Sequence, residues 1–232
     1  MRQNLNRCGG MMRLAAACAV VGGTGLAWAG PDWLEQGDAG STIFGAQMPI
    51  RPLEATSLTR IEGALSTAFV TNDYEDLYFI RVTDPNTFAI RPAYANFNIV
   101  MYLFNVTVNG EGYGLLGNND ESATSNLSKL TNRSDDGTEV IVRFPGDYVL
   151  AITGFGRTPV SRTGAIFNLA TPTEISGPDG PGGINPLEDW TGVGETGIYG
   201  FELVATDFPR TPAPGGAVVL AVGGLLFTRR RR

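Results

Sequence analysis

The chain has 232 residues, a formal net charge of −6 and no histidine, and its two cysteines, Cys8 and Cys18, lie near the N-terminus. Without histidine, a Ser-His-Asp triad, a Cys-His dyad and a histidine-ligated zinc or iron site are excluded. Carboxylate chemistry, a Ser-Lys pair and oxygen-ligated calcium remain available.

Residues 1–29 have the pattern of a secretory signal peptide. Its basic region contains three arginines: Arg2, Arg7 and Arg13. A small-residue apolar stretch, residues 14–26, follows, and Ala27-Trp28-Ala29 matches an A-x-A cleavage site. We therefore predict that residues 1–29 form a signal helix and that signal peptidase cuts between Ala29 and Gly30.

Short runs of β-branched and aromatic residues, separated by Gly, Asn, Asp and Pro, fill the rest of the chain up to about residue 211. Nine segments are predicted as strands: 60–65, 76–82, 87–91, 98–104, 113–116, 139–144, 147–152, 165–169 and 198–205. Two facing sheets would each hide one apolar face. We therefore predict an all-β, jelly-roll-like β-sandwich of about nine strands over residues 59–206, preceded by an N-terminal extension, residues 30–58.

Side-chain alternation predicts which residues face the core. Residues 98–104 are apolar on both faces, as in a central strand that is covered on each side. In 139–144, the alternation places Val140, Val142 and Phe144 inward. Residues 171–196 hold six glycines and four prolines, so we predict a long loop that Trp190 fastens to the sandwich.

Oxygen-bearing side chains crowd on two predicted turns. Asp73 and Asp76 precede or begin one strand, and Asn119 and Asp120 follow another. Calcium prefers six to eight such hard oxygen ligands, and turns at the same end of a sandwich could share one ion. Asn and Asp also shape tight turns through hydrogen bonds to their own backbone, so both interpretations stay open. No other cofactor is expected.

The C-terminal segment, residues 207–232, combines a proline motif, Pro212-Ala213-Pro214, with an apolar run, 215–227, and four terminal arginines: Arg229, Arg230, Arg231 and Arg232. Thirteen helical residues span roughly 20 Å, less than a hydrocarbon core of about 30 Å. The arginines would hold the C-terminus on the cytoplasmic side. We predict a short hydrophobic helix that acts as a transient membrane stop.

This tail resembles the sorting signals called PEP-CTERM, with Ala213 where that family has Glu. The resemblance implies processing by a membrane sorting protease. The middle of the chain is similar to bacterial pre-peptidase C-terminal-like domains in six ordered blocks: 61–63, 72–78, 101–104, 117–122, 145–155 and 190–203. That second resemblance implies a β-sandwich of the kind attached to secreted proteases or to sorting tails.

Removal of both ends would leave 23 acidic against 10 basic residues, a formal charge of −13. Such a surface disfavours nucleic acid partners because their phosphates are repelled. We expect an exported, non-catalytic protein of the cell surface or extracellular matrix with a structural or adhesive role. Polysaccharide and envelope proteins are its expected partners. The alternatives are a calcium-dependent, lectin-like carbohydrate-binding module and a carboxylate-based glycosidase.

Overall fold

The computed structural model describes residues 32–53, 55–66 and 73–210, and this part of the chain is all-β. It contains thirteen strands: β1 (Trp33–Leu34), β2 (Arg60–Leu65), β3 (Glu75–Val82), β4 (Ala89–Ala95), β5 (Ile99–Val106), β6 (Gly112–Asn118), β7 (Leu130–Thr131), β8 (Gly146–Gly154), β9 (Thr158–Ser161), β10 (Gly164–Ala165), β11 (Asp189–Thr191), β12 (Gly197–Val204) and β13 (Thr206–Asp207). None of the described residues forms a helix long and apolar enough to cross a membrane. The predicted signal helix and C-terminal helix lie outside the described residues.

The strands form three sheets. The front sheet has the order β1-β2-β12-β4-β7, the middle sheet β13-β3-β8-β5-β6, and the small back sheet β10-β9-β11. The pairs between these strands are antiparallel except for β1, which runs parallel to β2. The prediction of an all-β fold is confirmed, and two facing five-stranded sheets are consistent with a sandwich.

The middle sheet is buried on both faces. In β5, Ile99, Met101 and Leu103 pack into a core shared with the front sheet. The alternate residues Tyr102 and Phe104 pack into a second core on the other face. This confirms the prediction of a central, doubly covered strand over 98–104, and β3 and β8 divide their side chains between the two cores in the same way.

Two strand predictions are wrong. Residues 139–144 form no strand and pair only through an isolated bridge between Ile141 and Arg133. Val142 is buried, but Phe144 is 69% exposed rather than inward. The chain turns at this point, and the buried Tyr148 donates its hydroxyl hydrogen to the Phe144 carbonyl oxygen at 2.8 Å.

The second wrong prediction is the strand over 165–169. Only Gly164–Ala165 pairs there, as β10, although the next two residues, Ile166 and Phe167, are buried against the back face of the middle sheet.

The loop over 171–196 contains one short strand, β11, which pairs with β9. At the centre of β11, Trp190 is 5% exposed, and its ring centroid lies 5.9 Å from that of Tyr102 and 6.4 Å from that of Phe104. Its indole nitrogen donates to the Ser41 carbonyl oxygen at 2.7 Å. Trp190 therefore fastens this loop to the middle sheet, as predicted.

Candidate metal centre

Three carboxylates converge where β3 begins. Asp73 precedes the strand and Asp76 is its second residue. Asp38 lies close to both and belongs to the N-terminal segment, residues 32–53. One oxygen atom from each of the three side chains lies within 4.8 Å of the other two. Ligands on opposite sides of a calcium ion stand about 4.6–5.2 Å apart, given Ca–O distances of 2.3–2.6 Å. A single ion can therefore contact all three. We call this group the acidic centre.

The acidic centre is buried on the side of the sheet and exposed on the side of the N-terminal segment. Asp76 has no exposed surface and Asp73 is 7% exposed, whereas Asp38 is exposed. The Asp73 Oδ2 atom accepts a hydrogen bond from the Ser66 N–H at 2.8 Å. Its Oδ1 atom is buried and accepts no hydrogen bond from any described residue. A buried carboxylate oxygen without a donor is costly, and a cation would satisfy it.

A fourth carboxylate, Glu35, adds to the negative charge. Burial raises the pKa of Glu35 to about 7, and the negative charge of Asp73 raises it further. A hydrogen bond from the Ala64 N–H acts in the opposite direction and lowers it. Burial likewise raises the pKa of Asp73 to about 6. The pKa of Asp76 lies well above its ordinary value because of burial and the charge of Glu35. None of the ion pairs among the described residues involves these side chains or Asp38.

Arg157 lies beside the acidic centre but forms an ion pair with Glu75. Arg157 forms a two-pronged pair with Glu75, with Nε to Oε2 at 2.8 Å and Nη2 to Oε1 at 3.1 Å. Its guanidinium carbon also lies 5.6 Å from the centre of the Tyr74 ring. Arg157 thus neutralises Glu75 and leaves the acidic centre without a paired cation among the described residues.

Two buried tyrosines support Asp76 from the core. The Tyr199 hydroxyl donates to Asp76 Oδ2 at 2.5 Å, and the two hydroxyl oxygens of Tyr199 and Tyr78 are 2.6 Å apart. Gly63 leaves room for this arrangement. A Cβ atom there would lie 2.4 Å from the Tyr199 hydroxyl oxygen and 2.8 Å from Glu35 Oε2. The tyrosines fix one oxygen of Asp76, while its Oδ1 faces the Ala39 N–H at 3.3 Å.

The second predicted turn lies at the same end of the middle sheet but outside the acidic centre. Asp76 pairs with Ile152, Ile152 with Met101, and Met101 with Asn118. Three strand spacings of about 4.8 Å place Asn118 roughly 14 Å from Asp76. The structure therefore brings Asp73 and Asp76 together and leaves Asn119 and Asp120 apart from them.

The Asn119–Asp120 turn is held by its neighbour Asn118. The side chain of Asn118 accepts from the Lys129 N–H at 2.9 Å and donates to the Glu174 carbonyl oxygen at 2.8 Å. Asn119 Oδ1 and Asp120 Oδ1 are both buried and accept no hydrogen bond from the described residues.

Sequence reasoning missed Asp38 and Glu35. Both lie in the predicted N-terminal extension, more than 30 residues before Asp73, and no local pattern connects them to it. The available signal was the acidic content of 32–38, which holds three acidic residues next to Trp33. The predicted cleavage residues Ala27 and Ala29, the proline motif 212–214 and the arginines 229–232 lie outside the described residues.

No protein-family model, no curated protein and no solved structure matches the chain. The likenesses to sorting tails and to pre-peptidase C-terminal-like domains therefore stay predictions.

Proposed function

We propose that this chain is an exported, non-catalytic β-sandwich of the cell surface or extracellular matrix, and that one structural calcium ion at the acidic centre locks its fold. The observation that carries the proposal is the convergence of Asp38, Asp73 and Asp76 within 4.8 Å, with no cationic side chain paired to them in the described part of the chain.

Calcium suits this centre because the ligands are hard oxygens and the chain has no histidine. Calcium modules outside cells work with dissociation constants of about 10⁻⁴–10⁻³ M, so export would supply the ion. The ion would join Asp38 of the N-terminal segment to Asp73 and Asp76 of the middle sheet. It would thereby fix a segment that contributes only a two-residue strand, β1, to the front sheet.

The burial of Asp73 and Asp76 favours a structural ion over the two alternatives. A lectin-like site needs open coordination positions for sugar hydroxyls, and a glycosidase needs a cleft between its two carboxyl groups. Here two of the three ligands lie inside the sandwich. Export and sorting are supported by the signal-peptide pattern of residues 1–29 and the pattern of residues 207–232.

The first prediction is a calcium-dependent rise in thermal stability. In metal-free buffer, adding calcium should raise Tm, and an excess of 100 times the dissociation constant corresponds to about 2.7 kcal/mol. The variant Asp38→Asn should fold normally, because Asp38 is exposed. It should lose most of this response, because the substitution removes one of the three carboxylate ligands. Differential scanning calorimetry with calcium and then with a chelator measures both.

The matched control is Glu202→Gln, which removes one exposed negative charge from β12, away from the acidic centre. It should keep the full response to calcium. An unchanged Tm in the wild-type protein would refute the calcium part of the proposal. Intact mass and cell fractionation test export separately: a cytosolic protein that retains Met1 and Arg232 would refute that part.

A further inference from the structure

An exposed aromatic ring marks a second candidate site, far from the acidic centre. Phe144 is 69% exposed, and the segment 139–145 that carries it lines three adjoining cavities of about 630, 490 and 390 Å³. Ile141 and Arg143 line all three cavities, and Arg133 lines two of them. We call Arg133, Ile141, Arg143 and Phe144 the Phe144 ridge.

The two arginines of the ridge form no ion pair within the described residues. Arg133 pairs with Ile141 through the isolated bridge, so it lies on the same side as Ile141 and Arg143, while Val142 points into the core. Four of the nine arginines in the described residues form ion pairs, and neither Arg133 nor Arg143 is among them. Both side chains are exposed.

Three carboxylates, Asp84, Asp135 and Glu139, line the same cavities, and none of them forms an ion pair with an arginine of the ridge. Asp84 accepts from the Thr87 hydroxyl at 2.9 Å and from the Asn86 N–H at 3.0 Å. Asp135 Oδ1 accepts from the Ile175 N–H at 2.6 Å. Glu139 is exposed and lines two of the cavities. Both guanidinium groups of the ridge are therefore unpaired with these carboxylates and can form hydrogen bonds to a ligand.

We infer that the Phe144 ridge binds an acidic polysaccharide whose sugar rings carry carboxylate groups. A guanidinium group recognises a carboxylate with two parallel hydrogen bonds. An exposed aromatic face packs against the apolar face of a sugar ring. The side-chain amides of Asn105 and Asn132 line the same cavities and can pair with sugar hydroxyls. The row of three cavities along one segment fits a linear chain of sugars.

This inference rests on the proposed function at the cell surface or in the extracellular matrix and names a partner there, but it does not depend on calcium. The ridge ends where β8 begins at Gly146, and the acidic centre lies beside Ile152 in the same strand. Six residues of antiparallel strand, at about 3.4 Å each, separate the two sites by roughly 20 Å. Each site can therefore be removed without touching the other.

The test measures binding of short hyaluronan oligosaccharides to the exported protein by isothermal titration calorimetry in the presence of a chelator. We expect the wild-type protein to bind. The single variant Phe144→Ala and the double variant Arg133→Gln/Arg143→Gln should each bind about tenfold more weakly or worse. All three side chains changed here are on the surface, and circular dichroism verifies that the variants are folded.

Two surface variants serve as matched controls. Phe155 is 53% exposed, and Arg91 is exposed on β4 with no ion pair in the described residues. Phe155→Ala and Arg91→Gln should bind like the wild-type protein.

Three outcomes would overturn the inference: no binding by the wild-type protein, equal losses in the control variants, or equal binding of neutral dextran or polyglutamate. Equal binding of dextran would remove the role of the carboxylates, and equal binding of polyglutamate would remove the role of the sugar ring. Binding that persists when calcium causes no change in Tm would contradict the calcium proposal alone. A rise in Tm with calcium together with no binding of hyaluronan would contradict the proposal for the Phe144 ridge alone.

Discussion

Asp76 illustrates how a buried carboxylate is tolerated in this protein. Hydrogen bonds from the Tyr199 hydroxyl and the Ala39 N–H stabilise its charge, yet burial and the neighbouring Glu35 oppose ionisation. Without a metal ion, part of the acidic centre must hold protons near neutral pH, since the pKa of Glu35 rises to about 7 and that of Asp73 to about 6. Protons and calcium therefore compete for the same oxygens.

This competition predicts an unusual pH dependence. Between about pH 4 and pH 7, folded Glu35 and Asp73 bind protons that their unfolded counterparts have released, so the free energy of unfolding of the metal-free protein falls as pH rises. The chain has no histidine to mask the effect. Tm in chelator should be higher at pH 5 than at pH 8, with roughly 2–4 °C for each kcal/mol.

The variant Glu35→Gln provides the control, because it should flatten this slope. Saturating calcium should oppose the slope as well, since it binds the ionised carboxylates and stabilises the protein more at pH 8 than at pH 5. A Tm in chelator that is constant or rises from pH 5 to pH 8 would contradict the burial of these groups.

At the residue scale, sequence patterns found two of the three residues of the acidic centre. Asp73 and Asp76 were recognisable because acidic residues crowd before an apolar strand. Asp38 was not, because only the path of the N-terminal segment brings it to them. Asn119 and Asp120 shared the same local pattern, and the strand order between the two turns, which no local pattern records, keeps them apart.

At the scale of elements, β11 shows how a loop without regular structure is ordered. A three-residue strand adds little hydrogen bonding, so the buried indole of Trp190 supplies most of the attachment. Trp190 contacts Tyr102 and Phe104 on the back face of the middle sheet, and its nitrogen bonds to Ser41 in the N-terminal segment.

Substitution of Trp190 should separate packing from hydrogen bonding. Trp190→Phe keeps an aromatic ring and loses the bond to Ser41, which should cost about 1 kcal/mol. Trp190→Ala also leaves a cavity and should cost about 3–5 kcal/mol. Urea unfolding followed by far-UV circular dichroism measures both. Ile184→Ala, at an 86% exposed position of the same loop, should change stability by less than about 0.5 kcal/mol.

Regular strands were predictable and irregular ones were not. The segments around β3, β8 and β12 alternate or are continuously apolar over five residues or more, and each became a strand. The two-residue strands β1, β7, β10 and β13 are too short to carry a periodic signal. Residues 139–144 alternate as a strand would, but they find no partner strand beyond one bridge.

At the scale of the whole molecule, the middle sheet joins the two cores. Its strands β3, β5 and β8 contribute alternate side chains to the front core and to the back core. Loss of either core removes the packing of one face of this sheet. We therefore expect the two cores to unfold in a single transition.

Two tryptophans can test this coupling. Trp33 packs against the front core and Trp190 belongs to the back core. In the protein without its predicted signal peptide, which contains Trp28, the variants Trp190→Phe and Trp33→Phe each leave one tryptophan as the reporter of one core. The urea midpoint from fluorescence should match the midpoint from circular dichroism within each variant. A fluorescence transition at lower urea for Trp190 would show that the back core opens first.

The short strand β13 has a mechanical consequence. β13 pairs with β3 through its two residues, Thr206 and Asp207. Arg51 forms an ion pair with Asp207, and its guanidinium carbon lies 5.2 Å from the ring centroid of Phe208, which is 4% exposed. A pull applied beyond Arg210 must extract that ring and break that pair before the chain end can peel away. A force applied to the chain beyond Arg210 is therefore transmitted to the doubly covered middle sheet, and β13 resists detachment more strongly than its two residues alone would.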